Sequence, residues 1–323
     1  MIYLKIDDNA TRRLPFYLAM EEWAAKRLPA ADYFFSWQVN PTVIFGRNQR
    51  IDTEVNLDYC RENNIETYRR KSGGGCVFAD RHNIMFSYIT PSEHVTTTFN
   101  RYTEMVAEML RSLGVDAKAS GRNDITIEGR KVSGNAFYHI PGRSIVHGTM
   151  LYDTDLRHMA NAITPSRSKL ESKQVKSVEA HITTLNQHLD IDIDEFHRYA
   201  IEHLTDSQIS LTAKQLAEIE LLSRPYYEPE WIFGRRSEAT IRQSKRVDGA
   251  GEFAIGITLR DGRIADINIE GDFFLLSDLD STLLARLRGV RYSRREIEDT
   301  LAATDTSQTI AGLTTGQFIE LII

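Results

Sequence analysis

The chain has 323 residues, of which 41% are apolar, 26% charged and 9% aromatic, and its formal net charge is −6. These proportions exclude a collagen-like, low-complexity or disulfide-stapled chain, and the negative balance gives no protein-wide field for nucleic acid. The N-terminal residues lack an apolar signal core and no run reaches the roughly 18 apolar residues of a membrane span. With only Cys60 and Cys76, too few for a disulfide framework, a soluble cytoplasmic protein is expected.

A helix is expected over 14–28, with Pro15 in its first turn. Leu14, Tyr17, Leu18, Ala24, Ala25 and Leu28 form one apolar stripe, and Glu21 falls inside it. A carboxylate there either snorkels at the stripe's edge or is buried and requires a partner. Strand-like runs follow at Tyr33–Trp37, Thr42–Gly46, Cys76–Ala79 and Ile84–Ile89, then a helical pattern over Phe99–Leu113 and a strand over Ser144–Tyr152. From 194 to 223 the pattern is helical again, and Pro225 and Pro229 then read as an extended linker. Residues 252–259 and 263–269 flank Arg260-Asp261-Gly262, a hairpin signal, and helical patterns cover 278–288, 293–301 and 315–323. The expectation is a catalytic domain over 1–228, a linker over 229–235 and a small α+β module over 236–323.

Arg69-Arg70-Lys71-Ser72-Gly73-Gly74-Gly75-Cys76 is the strongest local feature. Three glycines expose backbone N–H groups, and the preceding cations suit an anionic phosphate or carboxylate. The spacing is not that of a Walker loop. A tight turn between strands would explain the glycines but not the cations.

The second feature runs from Gly121 to Asn135. With Glu128-Gly129 as a two-residue hairpin loop, Thr126 opposes Lys131, Ile125 opposes Val132 and Asp124 opposes Ser133. Asp124, Thr126, Lys131 and Ser133 then share a polar face, with Ile125, Ile127 and Val132 on the other. Asp124 and Lys131 become diagonal neighbours roughly 7–8 Å apart, within a lysine's reach. Such a lysine can stabilise charge on a phosphate, or it can be a surface ion pair; Gly121, Asn123, Gly134 and Asn135 at the hairpin's ends favour a site.

Other features carry weaker signals. His147, beside Gly148, reads best as a satisfied structural histidine, and Lys169–Ser177 as a solvated loop. Cys76 has no histidine on an obvious partner strand and reads as packing rather than as a nucleophile. His94, His181 and the acidic pairs lack metal-ligand spacing. Arg286, Arg288, Arg291, Arg294 and Arg295 read as a solvated surface, with contact to an acidic partner as the alternative.

Taken in order, these segments resemble the lipoate–protein ligase family. The matching pieces are Trp37–Gln49, the Arg69–Gly75 run, Asn83 with Phe86-Ser87, Gly121–Asp124, Gly129–Gly134, His147–Thr149 and, in outline, the mobile loop Lys169–Ser177. Trp231-x-x-Gly-Arg235 and Gly271–Phe274 match its small C-terminal domain, so the resemblance spans almost the whole chain. It implies an α/β (α+β), mixed-sheet biotin/lipoate ligase-like catalytic domain with a small accessory domain. The implied reaction joins lipoate and Mg²⁺-ATP into lipoyl-AMP, and a lysine of a lipoyl domain then attacks it. The acceptor would belong to a 2-oxoacid dehydrogenase complex or be the glycine-cleavage carrier protein, with no nucleic acid or membrane partner.

By the same resemblance, Lys131 is catalytic and touches both substrates. Arg70, Gly75, Cys76, Val77, Phe78, Asn83, Asn123 and Asp124 would serve ATP and the adenylate, Asp124 also being a candidate Mg²⁺ ligand. Trp37, Ser72, Gly73, Gly74, Ser133, Gly134, His147 and Gly148 would serve lipoate. Three departures stand out: His82 where the family has glycine, Cys76 where a small residue is usual, and Ser177–Leu185, where two arginines of the family's pattern are missing and Glu179 is added. An ATP-independent octanoyl or lipoyl transferase working through a cysteine acyl-enzyme, and a non-catalytic adenylate-binding module, are the alternatives.

Overall fold

A computed structural model describes residues 1–8, 10–91, 95–120, 123–163, 181–234 and 239–323. The expectations for His94, Gly121, Lys169–Ser177 and Arg235 therefore lie outside the described residues, as does the 177–180 part of the departing segment. Described residues form two compact units. The first holds Met1–Phe45, Asp52–Arg70 and Cys76–Ile232; the second holds Gly46–Ile51, Lys71–Gly75 and Phe233–Ile323.

In the first unit the strands are β1 (Ile2–Lys5), β2 (Tyr33–Trp37), β3 (Thr42–Phe45), β4 (Glu66–Arg69), β5 (Val77–Ala79) and β6 (Asn83–Thr90). Then come β7 (Ala117–Ala119), β8 (Asp124–Ile127), β9 (Arg130–Ile140), β10 (Arg143–Leu151) and β11 (Ser207–Ser210). Eight of them form a mixed sheet in the order β11-β1-β2-β6-β10-β9-β8-β7, parallel only where β1 meets β11 and β2. A three-stranded sheet in the order β4-β3-β5 completes the unit.

Alternation along the strands sorts the core into two layers. Tyr33, Phe35 and Trp37 of β2 and Met85 and Ile89 of β6 pack in one cluster with Leu14, Leu18 and Trp23 of the helix Leu14–Arg27. The intervening residues pack elsewhere: Phe34 meets Phe86 at 5.2 Å, and Tyr88 stacks on Tyr102 of the helix Val95–Ser112. Burying each large apolar side chain contributes about 1.5–3 kcal/mol before entropy is counted. Both layers thus hold β6, β10 and β9 rigidly where the candidate site lies.

Two expectations need correction. The 194–223 region is not one helical stretch: the helices Ile193–Leu204 and Ala213–Ser223 are separated by β11, which adds in parallel to β1 through Ile2↔Ser207 to Lys5↔Ser210. Tertiary pairing overrides local propensity there. The stretch after Ser223 is not extended either. Pro225 and Pro229 sit in the first turns of a 3₁₀ turn, Arg224–Tyr227, and a short helix, Pro229–Phe233, where a missing N–H costs nothing.

The second unit carries an antiparallel meander of β12 (Ile241–Val247), β13 (Gly251–Arg260) and β14 (Arg263–Gly271). Asp261 and Gly262 turn the β13–β14 hairpin with φ of +53° and +69°, as the sequence signal requires. Phe253, Ile255 and Ile257 pack against Ile297, Leu301, Phe318 and Ile322 of the helices Arg294–Leu301 and Thr315–Ile322. Arg288 pairs with Asp280 at 2.5 Å and Arg294 with Glu320 at 2.7 Å, so these two arginines are matched by acids of their own unit.

Candidate active site

The β8–β9 hairpin turns on Glu128 and Gly129, both with positive φ (+51° and +76°), and Thr126 opposes Lys131 as expected. The register then shifts. Ser133 opposes Ile125 and Gly134 opposes Asp124, so Val132 is an extra residue in β9. A bulge of this kind re-aims the side chains beside it. The Lys131 side chain runs along its own strand: its Cε and Nζ lie 2.7 Å from the place a Cβ on Gly134 would occupy. Glycine at 134 is what leaves room for the ammonium.

Across the ladder Lys131 Nζ lies 2.7 Å from Asp124 Oδ1. Oδ1 nevertheless receives no aligned hydrogen bond, so the contact is an ion pair with acceptor capacity to spare. Both side chains remain about a third exposed (34% and 31%), and the pair contributes about 1 kcal/mol or less to stability. Its consequence is positional. The backbone of Lys131 is held as well, because Thr183 N–H donates to its carbonyl at 2.9 Å and Ile182 bridges it in parallel. The described end of the departing segment therefore lies along this lysine, which no local sequence signal indicated.

A second constellation lies on the layer under the helix Leu14–Arg27. Glu21, with no exposed surface, faces His147 Nδ1 at 2.9 Å and accepts from Ser87 Oγ at 2.7 Å and from Tyr138 OH at 3.4 Å. Trp37 Nε1 donates to the same Ser87 hydroxyl at 3.0 Å, while its ring stacks on Tyr17 at 5.0 Å. The carboxylate on the apolar stripe thus has its partner, and His147 is indeed a satisfied buried histidine. Sequence reasoning flagged Glu21 but did not join it to His147.

Of the residues assigned to nucleotide, Arg70 is fully buried; burial lowers its guanidinium to about 10, and it donates to the Ile44 carbonyl at 2.9 Å. Arg69 donates to the carbonyls of Trp231 and Ile232 at 2.8 and 2.9 Å and lies over the Phe45 ring. Arg69 and Arg70 thus have structural duties that the sequence did not show. Asn83 is buried, donates to the Phe78 carbonyl at 3.1 Å and accepts from Thr154, fastening β6 to β5. Val77 and Phe78 lie in β5, an edge strand of the small sheet, and Phe78 stacks on His158. His82 replaces a glycine without strain: its N–H donates to Asp80 Oδ1 at 2.9 Å and its φ is not positive. Asn123, Ser133 and Gly148 surround Asn135, described below.

Ser72, Gly73, Gly74 and Gly75 belong to the second unit. There the Gly74 N–H donates to the Phe273 carbonyl at 3.1 Å, and a Cβ on Gly73 would stand 2.3 Å from that same oxygen. Ser72 accepts from the Arg47 N–H at 2.9 Å. A Cβ on Gly75, by contrast with Gly73, would face open space.

Cys76 Sγ donates to the Glu54 carbonyl at 3.9 Å, and burial pushes the Cys60 thiol up to about 11. Burial at Cys60 disfavours a thiolate nucleophile there. A cavity of about 620 Å³ opens where β1 and β2 part beyond the Tyr3↔Phe34 pair. Trp37 lines it together with Tyr17, Ser36 and His197, and it is the one residue assigned to lipoate that does so. Among the described residues no group of three or more His, Cys, Asp or Glu could hold a metal ion, and no helix is long and apolar enough to cross a membrane.

Comparison with known proteins places these features. Residues 14–205 match the family model for the lipoyl protein ligase A/B catalytic domain, and residues 236–322 match that for the bacterial lipoate protein ligase C-terminus. The chain is 34% identical to the lipoate-protein ligase LplJ of Bacillus subtilis (strain 168) over 331 residues, covering 99% of both chains. It superposes on the lipoate complex of Plasmodium falciparum LipL1 with a TM-score of 0.79 at 18% identity, over 99% of this chain and 97% of that one. It also matches a chain from the structural analysis of an archaeal lipoylation system, a bipartite lipoate protein ligase and its E2 lipoyl domain from Thermoplasma acidophilum, with a TM-score of 0.65 at 25% identity, over 74% and 98% of the two chains. The first of these structures shares the fold, a mixed-sheet α/β ligase domain followed by a smaller domain with an antiparallel sheet. By its two family matches and its full-length relatives, this chain belongs to the lipoate–protein ligase family and is a lipoate–protein ligase.

Proposed function

We propose that the protein activates lipoate with ATP as lipoyl-AMP and passes the lipoyl group to a lysine of a lipoyl domain. The observation that carries this reading is the Lys131 ammonium, held beside Asp124 in the space left by Gly134. In the first step a lipoate oxygen attacks the α-phosphorus as the bond to pyrophosphate breaks. A fixed cation there offsets charge that builds on the phosphoryl oxygens. In the second step the acceptor amine attacks the acyl carbonyl and AMP leaves. The same cation then polarises that carbonyl, and holding both groups beside one ammonium supplies the orientation.

In this reading Arg70, Cys76, Val77, Phe78, Asn83, Asn123 and Asp124 serve the nucleotide. Trp37, Ser133, Gly134, His147 and Gly148 serve lipoate. Asp124 fits a Mg²⁺ ion carried mainly by nucleotide phosphates, since its Oδ1 has no aligned donor and no multi-carboxylate cage is formed among the described residues. Mg²⁺ would supply charge neutralisation on the phosphates. Residues 1–228 serve as catalytic domain and 236–323 as accessory domain. The absence of a disulfide framework suits a cytoplasmic enzyme.

The acceptors are lipoyl domains of 2-oxoacid dehydrogenase complexes or the glycine-cleavage carrier protein, a reading supported by the archaeal lipoylation system of a lipoate protein ligase and its E2 lipoyl domain. Mass spectrometry of a lipoyl domain after incubation with the enzyme, Mg²⁺, lipoate and ATP tests the proposal. A single added lipoyl group that requires ATP is expected; transfer without ATP would replace this reading with the transferase one.

A further inference from the structure

Beyond the bulge the β8–β9 ladder is closed by two asparagines. Asn135 N–H donates to the Asn123 carbonyl at 2.9 Å, and Asn123 Nδ2 returns a bond to the Asn135 carbonyl at 3.3 Å. The buried Asn135 side chain adds two more, from Nδ2 to the Asn123 carbonyl at 3.1 Å and to Ser133 Oγ at 3.2 Å. Its Oδ1 lies over β10, 1.8 Å from where a Cβ on Gly148 would stand, and Gly148 is its partner in the β9–β10 register. One amide therefore spans three strands: the entry to β8, the segment just past the Val132 bulge, and β10.

That placement has a consequence for Lys131. With the bulge, Gly134 rather than Ser133 stands opposite the aspartate, and the ammonium occupies the space over that glycine. A bulge leaves its extra residue outside the ladder, so nothing in the strand pairing itself fixes its shape. The Asn135 amide grips both sides of it, Ser133 on β9 and Asn123 just before Asp124 on β8. Replacing the amide by a methyl group leaves the Asn123 carbonyl with one donor fewer and opens a gap over Gly148.

We propose that Asn135 is a positioning residue: its side-chain amide clamps the Val132 bulge and so sets where the Lys131 ammonium stands over Gly134 and Asp124. This rests on the reading above, in which Lys131 serves the chemistry. Asn135 acts through the lysine and touches neither substrate.

The test uses full-length protein with isotope-labelled lysine side chains, the Lys131 resonance being assigned by its loss in Lys131→Ala. Asn135→Ala is compared with Asn135→Leu, which keeps the volume without burying a charge but cannot donate to the Asn123 carbonyl. Both variants are expected to shift the Lys131 resonance. Both should lower kcat for lipoate-dependent ATP–pyrophosphate exchange by about 10- to 100-fold with KM for ATP and lipoate nearly unchanged, as for a displaced catalytic group. An unmoved Lys131 resonance in the variants, or a loss carried by KM with kcat intact, overturns the proposal. If instead Lys131→Ala itself leaves exchange intact, it is the underlying reading of the lysine that fails.

Discussion

His147 Nδ1 and Glu21 Oε1 lie 2.9 Å apart although 126 residues separate them in the chain. The pair joins β10 to the helix Leu14–Arg27, and through Ser87 it also fixes the Trp37 indole. Removing an acceptor that serves several buried donors costs about 1–3 kcal/mol, because those donors lose a hydrogen bond without regaining water. Glu21→Ala is therefore expected to lower the unfolding free energy by that amount in urea titrations. A loss below about 1 kcal/mol, the level of a surface pair, would show that the contact is not load-sharing.

Gly134→Ala separates packing from positioning. The new Cβ meets only the far end of the flexible Lys131 side chain, at 2.7 Å, which can swing away. Stability should change by less than about 1 kcal/mol while kcat for exchange falls about 100-fold. Equal kcat in the variant and the unaltered protein would mean that the ammonium is not used where it stands.

Neither cysteine is expected to act as a nucleophile. Burial raises the Cys60 thiol to about 11, and Cys76 is engaged with a backbone carbonyl. Cys60→Ala should retain turnover with lipoate and ATP, Cys76→Ala should change at most KM for ATP, and an acid-stable thioester adduct should not form on the unaltered protein. Loss of transfer in Cys76→Ala, with exchange retained, would point to an acyl-cysteine intermediate.

His197 gives the fold a pH dependence of known sign. Its Nε2 lies 2.5 Å from Ser36 Oγ, and burial, partly offset by Asp194, lowers its basicity. With the folded-state value below that of the unfolded chain, about 6.5, the unfolded chain takes up the proton first. Stability is thus full above about pH 6.5 and declines as the pH falls through the window below it. His197→Gln should flatten that part of the stability–pH curve; an unchanged slope would assign the acid sensitivity to other groups.

Much of the site was legible because it rests on period-two alternation and turn chemistry. Glu128-Gly129 marked the hairpin, and the alternation put Asp124 and Lys131 on one face. The bulge at Val132 was not legible, since an extra residue in a strand leaves no signature unless a glycine marks it. The duties of Arg69 and Arg70 were hidden for a different reason: their acceptors are backbone carbonyls, of Trp231, Ile232 and Ile44, which any sequence supplies. Likewise β11 is four mostly polar residues whose strand character comes from β1 beside it.

Lipoate-dependent ATP–pyrophosphate exchange by Lys131→Ala, measured beside the unaltered protein, addresses the central claim most directly. If the ammonium stabilises the charge formed as lipoate displaces pyrophosphate, exchange should fall by about 100- to 1,000-fold while the protein stays folded. Exchange within about twofold of the unaltered protein would contradict the account.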